Sequence, residues 1–380
     1  MGVRANRLDM YRTAIPMRSF EHAAATREVA EAVVVRVQFA DGTVGWGETL
    51  PRPYVTGETL ETVVADLAGA IWPAVAGVEL ADLSTAAAAI PTAGADGRCM
   101  NAAACAVELA LADRFLADGW RRGLARSAGR IDARVSGVLG SADPAKTARR
   151  LRLMRWYGLR DFKLKLGFGE DVDAENLRVV HGRIGRAVAA GRCTLRVDVN
   201  GGWAADETPE RVGRLKRFGV CVVEQPAFCG PAELVELARR CELPLMADES
   251  LRTERDAEEL LAEPRRVWWN VRISKNGGLL RAAALAAKAA ESGAAVVVGC
   301  MVGESGILSA AQRRLLQVAP GVRFVEGNYG RFLLADDLTT RSIRFGYAGR
   351  LNVLSGPGLG VAVDAARLAR HGSLVASLER

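Results

Sequence analysis

The chain has 380 residues, 49% of them apolar and 25% charged, with a formal net charge of +7. This suits one large and one smaller folded domain, with no apolar run near the ~18 residues of a membrane span. The start, MGVRANRLDMYRTAIP, lacks a signal-peptide hydrophobic region.

The seven Cys are scattered without paired spacing. They read as free thiols of a reducing, cytoplasmic protein, neither a zinc site nor a disulfide frame. Of the 51 basic residues only six are Lys, which leaves 45 Arg. Where Lys does appear, the site can require an amine able to lose its proton. The Arg residues are interspersed with acids and form no block or aromatic-interleaved patch, so no nucleic-acid partner is expected. An anionic small molecule suits the charge.

Residues 1–131 read as a separate α+β unit. EAVVVRVQFADGTVGWGE predicts a hairpin with a DG turn. PRPYVTGET follows as a loop. Leu60 to Ala76 and the Ala-rich Met100 to Leu116 predict helices, with AAAAIPTAGADG as a loop between them.

From Asp132 the texture changes to alternating strands and helices. Strands are expected at 134–139, 161–167, 194–200, 220–226, 243–249, 267–274, 294–301 and 322–327. Eight such units over residues 132–337 predict an α/β fold, a (β/α)8 TIM barrel with its site at the C-terminal strand ends. Residues 338–380 read as two strand-like pieces and a short basic tail that return to the first domain.

Three apolar runs each end in an acid: LRVDVN, VCVVEQP and LPLMADES. The acids Asp198, Glu224 and Asp248 are 26 and 24 residues apart, one βα unit each. Parallel strands bring their ends together, and three like charges there need a cation. Hard oxygen ligands without His or Cys favour Mg²⁺. In DFKLKLG, alternation puts Phe162, Leu164 and Leu166 against the helices and Lys163 and Lys165 in the barrel mouth. Two adjacent amines near a divalent ion are expected to lower one another's pKa toward the range of a general base. Asp198 and Asn200 share the inward face of their strand, and Glu249 should point away from Asp248's side.

The ordered set K-x-K, D-x-N, E-Q-P, A-D-E-S and K-N-G-G, preceded by GWGE and PRPYVTGET, resembles the enolase superfamily. Within it the match is to the muconate lactonizing enzyme subgroup, which includes mandelate racemase-like, dipeptide epimerase and o-succinylbenzoate synthase relatives. The resemblance implies a modified barrel under an α+β capping domain, with Mg²⁺ held by Asp198, Glu224 and Asp248. It implies that Lys165 removes the α-proton of a small carboxylate substrate, with Lys163 assisting, through an enediolate. Isomerisation or β-elimination would follow, and a homo-oligomer is expected.

Two departures stand out. The family's sixth strand carries a second catalytic Lys in K-x-x-K-x-G-G, whereas here Arg272 takes that inward place and Lys275 follows. Neutralising an Arg at pH 7 costs about 8 kcal/mol, so it serves as an electrostatic partner and not as a base. This points to one-base chemistry from Lys165. The alternatives are an amino-acid or dipeptide epimerase with Lys275 on the opposite face, and a barrel that binds a ligand without turnover. The second departure is Glu326-Gly327-Asn328 where dipeptide epimerases carry Asp-x-Asp. Substrate contacts are expected from Glu304, Glu326 and Asn328, and from capping-domain loops bearing Arg18, Phe20, His22, Arg52 and Tyr54.

Overall fold

The computed structural model describes residues 2–22, 25–117 and 130–380, with side chains of 19–26 outside the description. Five strands build the first sheet, one of them from the C-terminal end of the chain. β1 (Val3–His22), β2 (Ala25–Phe39) and β3 (Val44–Thr49) form an antiparallel meander, and the short β4 (Glu79–Leu80) pairs with the start of β1. The DG turn at Asp41-Gly42 joins β2 and β3, as the hairpin pattern predicted.

The barrel strands are β5 (Gly137–Leu139), β6 (Asp161–Lys165), β7 (Thr194–Asp198), β8 (Val220–Glu224), β9 (Leu245–Ala247), β10 (Val267–Val271), β11 (Val296–Val298) and β12 (Val322–Val325). They pair in sequence order, all parallel. A single bridge, Val135 to Val325, joins the two ends. Seven helices connect the eight strands: Pro144–Trp156, Glu170–Ala189, Thr208–Leu215, Pro231–Arg240, Glu254–Leu260, Leu279–Ser292 and Gly306–Val318. Among the described residues no helix follows β12 on the barrel wall. Irregular chain with aromatic side chains covers that seam instead, Tyr157, Phe332 and Phe345 packing edge to face and tilted. This is the modification of the barrel.

Several expectations need correction. The stretch 18–27, read as a loop, extends the β1–β2 ladder as far as His22 opposite Ala25. Ala86–Ala89 are not loop but the end of a helix, Leu83–Ala89, whose start is capped by Asp82 accepting from the Thr85 N–H at 2.8 Å. Four Ala in a row favour helix once such a cap exists. The helix from Leu60 holds to Val75, but it widens into a π turn at Leu67–Ile71 before Pro73, which has no N–H to donate. After residue 337 the two strand-like pieces leave only one bridge, Thr339 to Val363. The basic tail is ordered: helix Ala365–His371 leads into β13 (Gly372–Glu379), an edge strand against β1. Its apolar Leu374-Val375-Ala376 suits an edge strand, a signal that the flanking charges obscure.

Two buried carboxylates dock the cap on the barrel. Glu48, the acid of GWGE, accepts from Ser305 N, Ser305 Oγ and Leu308 N at 3.0, 2.7 and 3.0 Å, and so caps helix Gly306–Val318. Glu108 accepts from Leu279 N and Leu280 N, both at 2.8 Å, at the start of helix Leu279–Ser292. Gly45 and Gly47 let helix Asn101–Ala117 lie directly on β3. A Cβ at either would come within 1.9 Å of a carbonyl oxygen, Ala110's or Ala106's.

Candidate active site

Alternation along the barrel strands decides which side chains enter the mouth. Lys163 and Lys165 project inward from β6, while Phe162 and Leu164 join the apolar core. Asp198 and Glu224 close β7 and β8 and are direct neighbours in register, and Asp248 follows β9 by one residue. All three acids are fully buried.

They converge around the chain's own cations. Lys163 Nζ lies 3.2 Å from Asp198, 3.0 Å from Glu224 and 2.6 Å from Glu326. Lys165 Nζ donates to Asp198 Oδ2 and Asn200 Oδ1, both at 2.8 Å. Arg272 Nη2 donates to Asp248 Oδ2 and stands 3.5 Å from Glu224 Oε1. Lys275 Nζ donates to Asp248 O at 2.6 Å, Asn270 O at 2.7 Å and Asp248 Oδ1 at 3.0 Å. As they stand, no three acid, His or Cys side chains among the described residues are closed on one another tightly enough to grip an ion. Lys163 and Arg272 lie on the oxygens between them.

Charge is distributed unevenly across this cluster. Burial pulls Lys163 down, but Glu224, Glu326 and Asp198 outweigh it and hold the ammonium well above its ordinary pKa. As the cluster stands, three carboxylates within hydrogen-bond reach favour this lysine's charge more than a neighbouring amine opposes it. Arg272 is likewise held well above its usual value, Asp248 and Glu224 overcoming burial. Burial pushes Asp198 and Asp248 up, yet Lys165 and Lys163 keep the first low and Arg272 and Lys275 the second. Glu224 is pushed up to about 7, by burial and then by Asp198's charge. Lys275 is lowered by burial.

In front of the cluster is a cavity of about 40 Å³, lined among others by Lys163, Lys165, Asn200, Glu249, Arg272 and Glu326. Arg52 and Tyr54 close it from the capping side. Lys275 is not in its lining. Asn200, at φ 50°, holds the Lys165 amine. Glu249 does not turn away as alternation suggested. It borders the cavity with its Oε2 unpartnered, because the chain leaves β9 before reaching it.

The substrate-contact candidates separate. Glu326 borders the cavity but is gripped by Lys163 and lies 3.2 Å from Arg196. Asn328 is spent on structure: its Oδ1 accepts from Arg313 Nε at 2.7 Å and its amide donates to Gln312. Glu304 is half-buried and accepts from Met301 N at 2.7 Å, outside the cavity lining. Arg18 lines a separate apolar cavity beside Tyr157, Phe332 and Phe345. The side chains of Phe20 and His22 lie outside the described residues.

Three residues of the cluster escaped the sequence reading. Arg196 is fully buried under the acids and stacks over Phe324 at 4.4 Å. Asn270 donates to Glu224 Oε1 at 2.6 Å. Gln225, at φ 35°, accepts from Asp248 N and Ser250 N at 3.0 and 3.1 Å and donates to Ser250 Oγ at 2.7 Å, tying E-Q-P to D-E-S. Alternation carries the signal for the first two: Arg196 shares a face with Asp198, and Asn270 with Arg272.

Comparison with known proteins agrees with this architecture. Residues 145–367 match the model of enolase C-terminal domain-like proteins, and residues 7–117 match the N-terminal domain of mandelate racemase / muconate lactonizing enzymes. Muconate cycloisomerase 1 of Rhodococcus opacus is 30% identical over 343 residues, 87% of this chain and 88% of that protein. L-Ala-D/L-Glu epimerase of Bacillus subtilis is 29% identical over 322 residues, 80% of this chain and 83% of that protein. The crystal structure of 2-chloromuconate cycloisomerase from Rhodococcus opacus 1CP superposes with a TM-score of 0.85 at 27% identity, over 97% of this chain and 100% of that one. With both family domains matched in order around the same barrel and cap, this chain is an enzyme of the enolase superfamily and belongs to its mandelate racemase / muconate lactonizing enzyme family.

Proposed function

We propose that this enzyme removes the α-proton of a small carboxylate substrate from one face only, with Lys165 as the base and a divalent cation, Mg²⁺, as cofactor. The observation that carries the reading is the pairing of Lys165 with Arg272 at one cavity: an amine on one strand and a guanidinium on the other side of the acids, with no further amine facing in except Lys163.

The acids fit the ion in kind and place. They are three hard oxygen donors at neighbouring strand ends, without thiolate or imidazole competition. Asp198, Glu224 and Asp248 would hold it. When bound it would supply positive charge to a substrate carboxylate and so acidify the adjacent carbon. The remaining roles belong to the chain. Asp198 and Asn200 hold the Lys165 nitrogen, which in its neutral form accepts the proton. Lys163 stays an ammonium among three carboxylates and contributes charge. Arg272 and Arg52 offer fixed donors to negative charge that develops on the substrate. Isomerisation or β-elimination then depends on what the substrate carries next to that carbon. The epimerase reading, with Lys275 as a second base, is less well supported: all three of that ammonium's donors are engaged by Asp248 and Asn270.

The test is α-hydrogen exchange in D₂O with Mg²⁺, over N-acyl amino acids, dipeptides and lactone acids of the muconolactone type. Exchange from one enantiomer only, lost in Lys165→Ala, is expected. Washout from both enantiomers at similar rates would sink the one-base reading. Ion binding with no exchange for any substrate would favour a ligand-binding barrel.

A further inference from the structure

Arg272 stands where this family's pattern has a lysine, and the function proposed above uses only its charge. Its contacts suggest more. The guanidinium bonds Asp248 Oδ2 and reaches Glu224 Oε1 at 3.5 Å, so one side chain spans two of the three acids. Its stem lies on Gly299, where a Cβ would come within 3.1 Å of Arg272 Cγ and 2.2 Å of Asn270 Oδ1. Its Nη1 meets only a thioether, Met301 Sδ, at 3.8 Å, and its Nε has no partner. The side chain is thus tied at one end to the acids and weakly held on the cavity side.

We propose that Arg272 competes with the divalent cation for Glu224 and Asp248, and that the ion binds only as the guanidinium withdraws toward Met301 and the cavity. The proposal rests on the metal-dependent reading above. A carboxylate oxygen that accepts from a guanidinium has its lone pair directed at that donor, and it must exchange this partner to ligate an ion. A lysine at the same position would bring a compact ammonium in place of a planar fork of five donors, so the substitution changes metal affinity as well as base chemistry. The withdrawn guanidinium enters the space in which a substrate carboxylate would lie, and this links ion binding to anion binding.

The measurement is Mn²⁺ binding to the full-length protein, read from the EPR signal of free Mn²⁺, without substrate. Arg272→Met should tighten the dissociation constant by roughly ten-fold or more, since a charge-assisted hydrogen bond no longer has to be exchanged. Arg52→Met removes a positive charge from the same cavity but touches none of the three acids, so it should move the constant much less. Arg272→Lys keeps the charge beside the acids if the methionine variant does not fold, and its effect should lie between the two. The Mn²⁺-induced rise in melting temperature should be larger in Arg272→Met than in the wild type. Equal binding by wild type and Arg272→Met, or equal tightening by Arg52→Met, would overturn the competition while leaving the metal reading intact. No Mn²⁺ binding by any of the proteins would sink that reading and this proposal with it.

Discussion

Lys163 and Lys165 are two residues apart on one strand, yet their surroundings assign them different work. Lys163 is enclosed by three acids, whereas Lys165 has one acid and one amide and opens on the cavity. Lys165→Ala should therefore lower α-hydrogen exchange by roughly 10²–10⁴-fold, the usual contribution of a positioned base. Its unfolding free energy should fall by less than that of the Lys163 variant, since one buried carboxylate and not three loses a partner. Lys163→Met should act chiefly on stability, at a cost of about 3–5 kcal/mol, because buried carboxylates lose their partner. Urea titration of the two variants distinguishes these outcomes. Arg272→Lys supplies an amine on the face opposite Lys165. Exchange should then appear from the enantiomer that the wild type leaves untouched, and chiral analysis of the deuterated substrate reads it directly.

At the scale of elements, the motifs that look catalytic in the sequence divide into chemistry and carpentry. K-x-K, D-x-N and the strand-end acids meet in the mouth. GWGE and K-N-G-G instead join the two domains. Gly278, at φ 129°, has no room for a side chain because Glu108 lies 2.5 Å from a would-be Cβ on its way to the helix start. Glu108→Gln keeps the shape but loses the charge at that helix N-terminus. It should cost on the order of 1–3 kcal/mol in denaturant unfolding, without altering Mn²⁺ affinity. Gly47→Ala should cost a similar amount, since β3 and the buried helix Asn101–Ala117 must move apart against backbone and not against a flexible side chain.

For the whole molecule, several buried or half-buried acids hold protons that the unfolded chain would release. Half-buried Glu304 is one of them. Burial pushes it up to about 8 from an ordinary 4.5, opposed mainly by one hydrogen bond from the Met301 N–H. Glu48 is raised to about 7 by burial although three donors oppose it. The sign follows from proton counts. Between pH 4.5 and about 8 the folded chain binds the Glu304 proton and the unfolded chain does not, so stability falls as pH rises through that window and is level above it. The slope is about 1.4 kcal/mol per pH unit for a full proton. Thermal melts of the wild type should drop from pH 5 to 8, and Glu304→Gln should flatten that drop by an amount a calorimeter resolves.

The repeating strand–helix order, the three strand-end acids and the inward lysines are legible in the order of residues alone. These rest on local alternation and on intervals that any parallel barrel must respect. Alternation also placed Arg272 in the mouth. What each charge does there depends on which groups the folded barrel sets beside it. Lys275 looks as free as Lys165 in one dimension, but two of its three acceptors belong to Asp248 at the end of the neighbouring strand and the third to Asn270 on its own. The pairing of Glu48 and Glu108 with helix starts about 257 and 171 residues away, like the return of β13 to β1, depends on how the two domains dock. Such contacts leave no periodic trace in the chain, because burial, charge pairing and helix ends are settled by neighbours distant in sequence.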